Sequence, residues 1–133
     1  MIKYAAIVLT CFMISSCTIS HNDSTASQPA APGFIHNVYF YLNEETNEAQ
    51  VQQLINDCKT LLGAVETVRR IYVGLPAGTP REVVDNSYGV CLIVYFDDKA
   101  GHDFYQTADK HLQFIERNQS AWDRVQIYDM IPQ

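Results

Sequence analysis

The sequence predicts an α+β domain of βαββαβ order, with a four-stranded antiparallel sheet and both helices on one face. Three observations carry this expectation. Four runs rich in aromatic and β-branched residues, at 34–42, 66–74, 88–96 and 122–130, read as strands. Two stretches of helical periodicity fall between them in the required order. Two of the strand runs are apolar on both sides: 90–96 (VCLIVYF) shows no alternation, and Tyr39 and Tyr41 stand opposite Val38 and Phe40. Two helices can cover only one side of a four-stranded sheet. The second apolar face therefore predicts a second copy packed sheet to sheet as a homodimer, with a fold-over of the loop at 75–85 as the alternative.

Each element has a local cause. Residues 34–42 (FIHNVYFYL) form the first strand, and the polar turn 43–47 supplies helix caps. Val51, Leu54, Ile55, Cys58, Leu61 and Leu62 recur at spacings of three and four, an amphipathic helix that Gly63 ends. Residues 66–74 (ETVRRIYVG) make the second strand, and Pro76, Gly78 and Pro80 punctuate the loop after it. The third strand, 88–96, is the strongest. Asp97 and Asp98 then cap a helix expected from Lys99 to Arg117, with Ala108, Leu112 and Ile115 on its inward stripe. Residues 122–130 close the sheet.

The N-terminus gives an address. Lys3 precedes an apolar run at 5–14 (AAIVLTCFMI), long enough for a signal segment and too short to span a bilayer. Ser15, Ser16 and Cys17 follow, and the stretch resembles a bacterial lipobox. That resemblance implies a signal peptide at 1–16, lipidation of Cys17 and a cell-envelope location. Thr18 in place of Asp after the cysteine favours the outer membrane in a Gram-negative host. Residues 17–33, rich in Ser, Thr, Ala and Pro, read as a lipidated flexible tether, and 34–133 as one folded domain.

Removing residues 1–16 leaves 117 residues (133 minus 16), enough for one small domain. Only Lys3 is lost among charges, so the net charge moves from −6 to −7. This acidic balance, with no basic cluster beyond Arg69 and Arg70, excludes a nucleic-acid partner. Cys58 and Cys91 fall at apolar positions of regular patterns and read as buried free thiols. The four histidines have no zinc-motif spacing, so no metal ligands and no cofactor are expected.

The segment SYGVCLIVYFDDKAGHDFYQTADKHLQFIE, with AWDRVQIYDMIP after it, resembles the stress-responsive dimeric α/β-barrel (Dabb) family. The landmarks are His36 in the first strand, the 88–98 strand and cap, Tyr105 with His111, and the closing Trp122 strand. The resemblance covers nearly all of 34–132 and implies a ferredoxin-like domain that dimerises through its sheet. Plant polyketide cyclases of this family are the nearest functional analogy. They use a Tyr and a His at the spacing of Tyr105 and His111, with a first-strand His matching His36. The chain departs from them at Val90 and Cys58, where those enzymes carry a pocket His and a pocket Tyr. It also lacks the helix-breaking Pro that precedes their second-helix His.

The candidate catalytic residues are thus His111, Tyr105 and His36, and the candidate pocket is lined by Val38, Phe40, Cys58, Val90 and Leu92. His111 suits a general base and equally a hydrogen-bonded core histidine. Tyr105 polarises a carbonyl or simply packs. On an unbroken helix the two lie about 120° apart, which opposes a partnership. His102 and Asp103 open the second helix as solvated residues. Three functions follow: a membrane-anchored module that binds a small, largely apolar molecule; a lyase or cyclase with His111 as base; or a non-catalytic interaction protein. The loss of pocket polarity at Val90 and Cys58 favours the first.

Overall fold

The computed structural model of the protein describes residues 30–133. The expected signal segment, the lipidated Cys17 and the tether through residue 29 lie outside the described residues. The described chain forms β1 (Phe34–Leu42), α1 (Glu48–Thr60), β2 (Arg70–Gly74), β3 (Val90–Phe96), α2 (Lys99–Thr107), α3 (Asp109–Asn118) and β4 (Trp122–Met130). The strands make one sheet in the order β2-β3-β1-β4, with every neighbouring pair antiparallel. This is the ferredoxin-like α+β fold expected from the element order.

Alternation along the two central strands sorts their side chains. Phe34, His36, Val38 and Phe40 of β1 and Val90, Leu92, Val94 and Phe96 of β3 are buried against the helices. Leu54, Cys58 and Leu62 meet them from the first helical segment, and Tyr105 and Phe114 from α2 and α3. Burying aliphatic side chains of this size stabilises by roughly 1.5–3 kcal/mol each. Asn47 starts α1 through a capping box: its side chain accepts from the Gln50 N–H at 3.1 Å, and the Gln50 side chain accepts from the Asn47 N–H at 2.9 Å. Asp98 caps α2 by accepting from the Gly101 N–H at 2.8 Å.

Two boundaries differ from expectation. Strand β2 begins at Arg70 rather than Glu66, because α1 continues into a 3-10 turn at Leu62–Ala64 and a bend. The expected 99–117 helix is two helices. Ala108 between them is extended (φ −65°, ψ 140°), although no Pro is present. The Thr107 hydroxyl donates to the Phe104 carbonyl at 3.1 Å, a bond that competes with the helical ladder. Beyond the break, the Ala108 carbonyl accepts from the N–H groups of His111 and Leu112, and Asp109 places negative charge in the first turn of α3. The break resets the helical phase. Phe114 and Asn118 turn inward, while Leu112, expected on the inward stripe, is exposed.

The other sheet face carries Ile35, Tyr39, Ile93, Tyr95, Tyr72, Tyr128 and Met130, of which the last three are about half or more exposed. The 75–89 loop does not blanket it. Val83 in that loop is 80% exposed, and Tyr88 reaches the face by packing edge-on against Tyr39 with ring centroids 5.1 Å apart. Cys91 looks out on this face and Cys58 lies buried on the helix side, so the sheet separates the two free thiols. Burial pushes the Cys58 thiol up to about 12, which leaves it protonated and inert.

Candidate functional site

Strand β4 is an edge strand, and the helices sit over the middle of the sheet. Between them opens a cavity of about 330 Å³. Its floor is Val38 and Phe40 of β1, Leu92 of β3, and Val125 and Ile127 of β4. Its other wall comes from Tyr105 and Gln106 of α2 and from His111, Phe114 and Ile115 of α3. Ile127 lies at the mouth, 46% exposed. His36 also lines the space, so both expected imidazoles and the expected phenol meet at it.

The helix break makes that meeting possible. With the phase reset at Ala108, the rings of Tyr105 and His111 stand edge to face with centroids 4.7 Å apart. Tyr105 also packs on Phe96 at 5.2 Å and on His36 at 6.1 Å. Burial raises the Tyr105 hydroxyl pKa strongly, so it stays a neutral donor. Val38, Phe40 and Leu92 lie where the pocket was expected. Cys58 and Val90 do not line the cavity; both are completely buried in the packed core, because each side chain points into the α1–β3 contact.

His36 has a partner that the sequence reading missed. Asp129 lies directly across the β1–β4 ladder from it, and His36 Nδ1 stands 2.6 Å from an Asp129 carboxylate oxygen. An ionised carboxylate only accepts, so the Nδ1–H donates and Nε2 is left with its lone pair. Burial lowers the His36 pKa, against the opposing pull of Asp129. The register of two strands could have revealed this pair, but only once their pairing was known.

His102 is the second omission. Expected in solvent, it is 9% exposed, with its ring stacked on Phe34 at 4.6 Å and tilted against His36 at 4.9 Å. Its Nδ1 is 3.3 Å from Asp103, and its Nε2 takes the Gln106 amide at 2.9 Å. It lies one turn before Gln106, and a helix phase anchored on Tyr105 rather than Ala108 would have turned it inward.

His111 is the least satisfied group of the site. Its Nδ1 is buried and makes no hydrogen bond among the described residues. Burial first, and then the nearby His36 and His102, lower its pKa. The linkage sign follows: the unfolded chain binds a proton near pH 6.5 while the folded site resists it. Stability is complete above about pH 6.5 and falls as the pH drops below that value. Thermal unfolding midpoints should therefore decline from pH 7 to pH 5, and His111→Leu should flatten part of that decline.

The arrangement offers an apolar enclosure with two imidazoles and a neutral phenol at one end. It can orient a carbonyl or hydroxyl and can move a proton at the ring nitrogens.

Comparisons with known proteins agree with the architecture. A hydroxynitrile lyase from Passiflora edulis is 16% identical, with 77% of this chain and 95% of that one matched and a TM-score of 0.67. A dimeric ferredoxin-like protein of unknown function from Thermobifida fusca is 18% identical over 77% of this chain and 92% of that one, with a TM-score of 0.66. A Dabb family protein from Mesorhizobium loti is 22% identical over 75% and 96%, with a TM-score of 0.62. At these identities the likeness is one of fold. No match is found among curated proteins. The family model described as the stress responsive A/B barrel domain (Dabb) matches residues 34–132, and the chain belongs to that family.

Proposed function

We propose that the domain binds a small, largely apolar molecule in the cavity between β1, β4 and the α2–α3 pair, with a polar end of that molecule placed against His111. The observation that carries this reading is the buried His111 Nδ1, without a partner among the described residues, beside a largely apolar cavity. A buried polar atom without a partner costs about 1–3 kcal/mol, and a bound hydroxyl or carbonyl-bearing molecule removes that cost. The size suits the pockets that take small ligands. Two copies pair through their outer sheet faces, which would cover the exposed Tyr72, Tyr128 and Met130; a similar structure is that of a dimeric ferredoxin-like protein. A lipid on Cys17 holds the pair at the cell envelope, outside the cytoplasm.

Ile127→Trp tests the pocket directly. The new indole enters the mouth from an edge strand without disturbing the buried core. It should weaken binding of a small apolar fluorescent probe, anilinonaphthalene sulfonate, at least tenfold while the far-ultraviolet dichroism stays unchanged. Undiminished probe binding contradicts the placement of the site.

One observation favours a second reading, a lyase or cyclase. Asp129 holds His36 in the tautomer that presents Nε2 as a base, next to the Tyr105 phenol. In that case His36 or His111 takes a proton beside a carbonyl and Tyr105 stabilises the oxyanion. Turnover of the bound molecule, lost in both His36→Gln and His111→Gln, distinguishes it from simple binding.

A further inference from the structure

The pocket reading leaves His102 without a task. A buried imidazole costs free energy to desolvate, and a second one beside it adds to that cost. His36, His102 and Asp129 nevertheless converge: one ligand-capable atom of each lies within 4.8 Å of the other two. They come from three elements, β1, α2 and β4, so sequence spacing carries no trace of the set. The two imidazoles are 3% and 9% exposed, and the Asp129 side chain is 42% exposed. The cluster thus has a dry interior and one open side.

We propose that these three residues hold one divalent transition-metal ion of the zinc type. The ion takes the place of the proton between His36 Nδ1 and Asp129, and the imidazole of His102 completes the set. The hydrogen displaced from His36 Nδ1 moves to its free Nε2, so the imidazole stays neutral and no net proton leaves. Two nitrogen donors and one carboxylate suit zinc and its first-row neighbours, whereas magnesium and calcium take all-oxygen shells. The supporting shell is present. Phe34 stacks on the His102 ring at 4.6 Å and Phe96 meets it edge-on at 5.6 Å, which fixes its plane. Gln106, which now donates to His102 Nε2, is one residue from Tyr105 and can turn toward the cavity it lines. Three protein ligands leave a tetrahedral ion one open position. The ion needs no organic ligand, so this inference stands apart from the pocket reading.

The test uses the untagged full chain, stripped of metal, with His21→Ala introduced to remove the histidine of the N-terminal segment. Titration with Zn²⁺ should show one ion per chain. Co²⁺ in its place should give a visible absorption band of a nitrogen- and oxygen-ligated ion. His102→Gln and Asp129→Asn should each weaken binding at least tenfold. Asp129→Asn keeps the shape and exposed position of the side chain, so its loss of binding cannot be ascribed to unfolding. At pH 8 the heat of binding should not depend on the ionisation heat of the buffer. Zn²⁺ affinity unchanged in both variants overturns the proposal, as does equal competition by Mg²⁺.

Discussion

Asp57→Ala is expected to lower the stability of the domain by about 2–4 kcal/mol, the range for breaking a buried, hydrogen-bonded charge. Asp57 is 1% exposed, on the inner side of α1. Its carboxylate accepts from the Gln53 side chain at 2.8 Å and from the Asn118 side chain at 2.9 Å, and the Arg117 guanidinium lies 3.3 Å away. Gln53 and Arg117 reach solvent and can rehydrate when Asp57 is removed. Asn118 cannot, for it is buried at the end of α3 and its one remaining acceptor is the Phe114 carbonyl. The loss therefore falls on the α1–α3 contact, which holds the wall of the cavity in place. At about 4–8 °C per kcal/mol for a domain of this size, the melting temperature should fall by roughly 8–32 °C. Asp57→Asn should cost less than half as much, since its carbonyl still accepts from Asn118. Equal losses in the two variants would show that charge, rather than the hydrogen bond, carries the effect.

The double substitution Tyr39→Glu with Tyr128→Glu should convert the proposed dimer to a monomer. Both rings lie on the outer sheet face, in contact with each other at a centroid distance of 6.1 Å, and Tyr128 is 60% exposed. Neither touches the buried core, so the folded domain should survive. In a sheet-to-sheet pair related by a two-fold axis, the substitutions place four carboxylates in one apolar interface. Like charges set against each other across an interface cost several kcal/mol, and buried aromatic anchors contribute about 2 kcal/mol or more each. Association should weaken by at least a hundredfold, read by sedimentation across a concentration series. A variant that remains a dimer would place the contact on another surface.

Strand and helix identities were legible because each strand alternates or is apolar throughout, and because Asn47 and Asp98 are capping residues at the right places. The second apolar face was legible for the same reason, since period two assigns Tyr39 and Val38 to opposite sides. The helix break at Ala108 was not, because the Thr107 hydroxyl bond to the Phe104 carbonyl that accompanies it is a local side-chain contact. No glycine or proline marks it. From that miss followed the others on this segment: Leu112 was turned inward and His102 outward, each by the phase of one continuous helix. The His36–Asp129 pair was invisible for a different reason. It is a cross-strand contact over 93 residues of sequence, fixed by a register that only the assembled sheet sets. Cys58 and Val90 came from resemblance to enzymes whose pocket is more polar; here both positions are apolar and are absorbed into the core.

The cavity beside His111 is proposed to hold a small molecule. This proposal is tested first by a native mass spectrum of the full chain, purified gently from its own host. The account predicts a dimer carrying one extra small mass per protomer, absent in a His111→Leu variant that is as stable as the wild type or more so, because leucine removes the unpaired nitrogen. A bare wild-type dimer, or an adduct retained in full by His111→Leu, would contradict it.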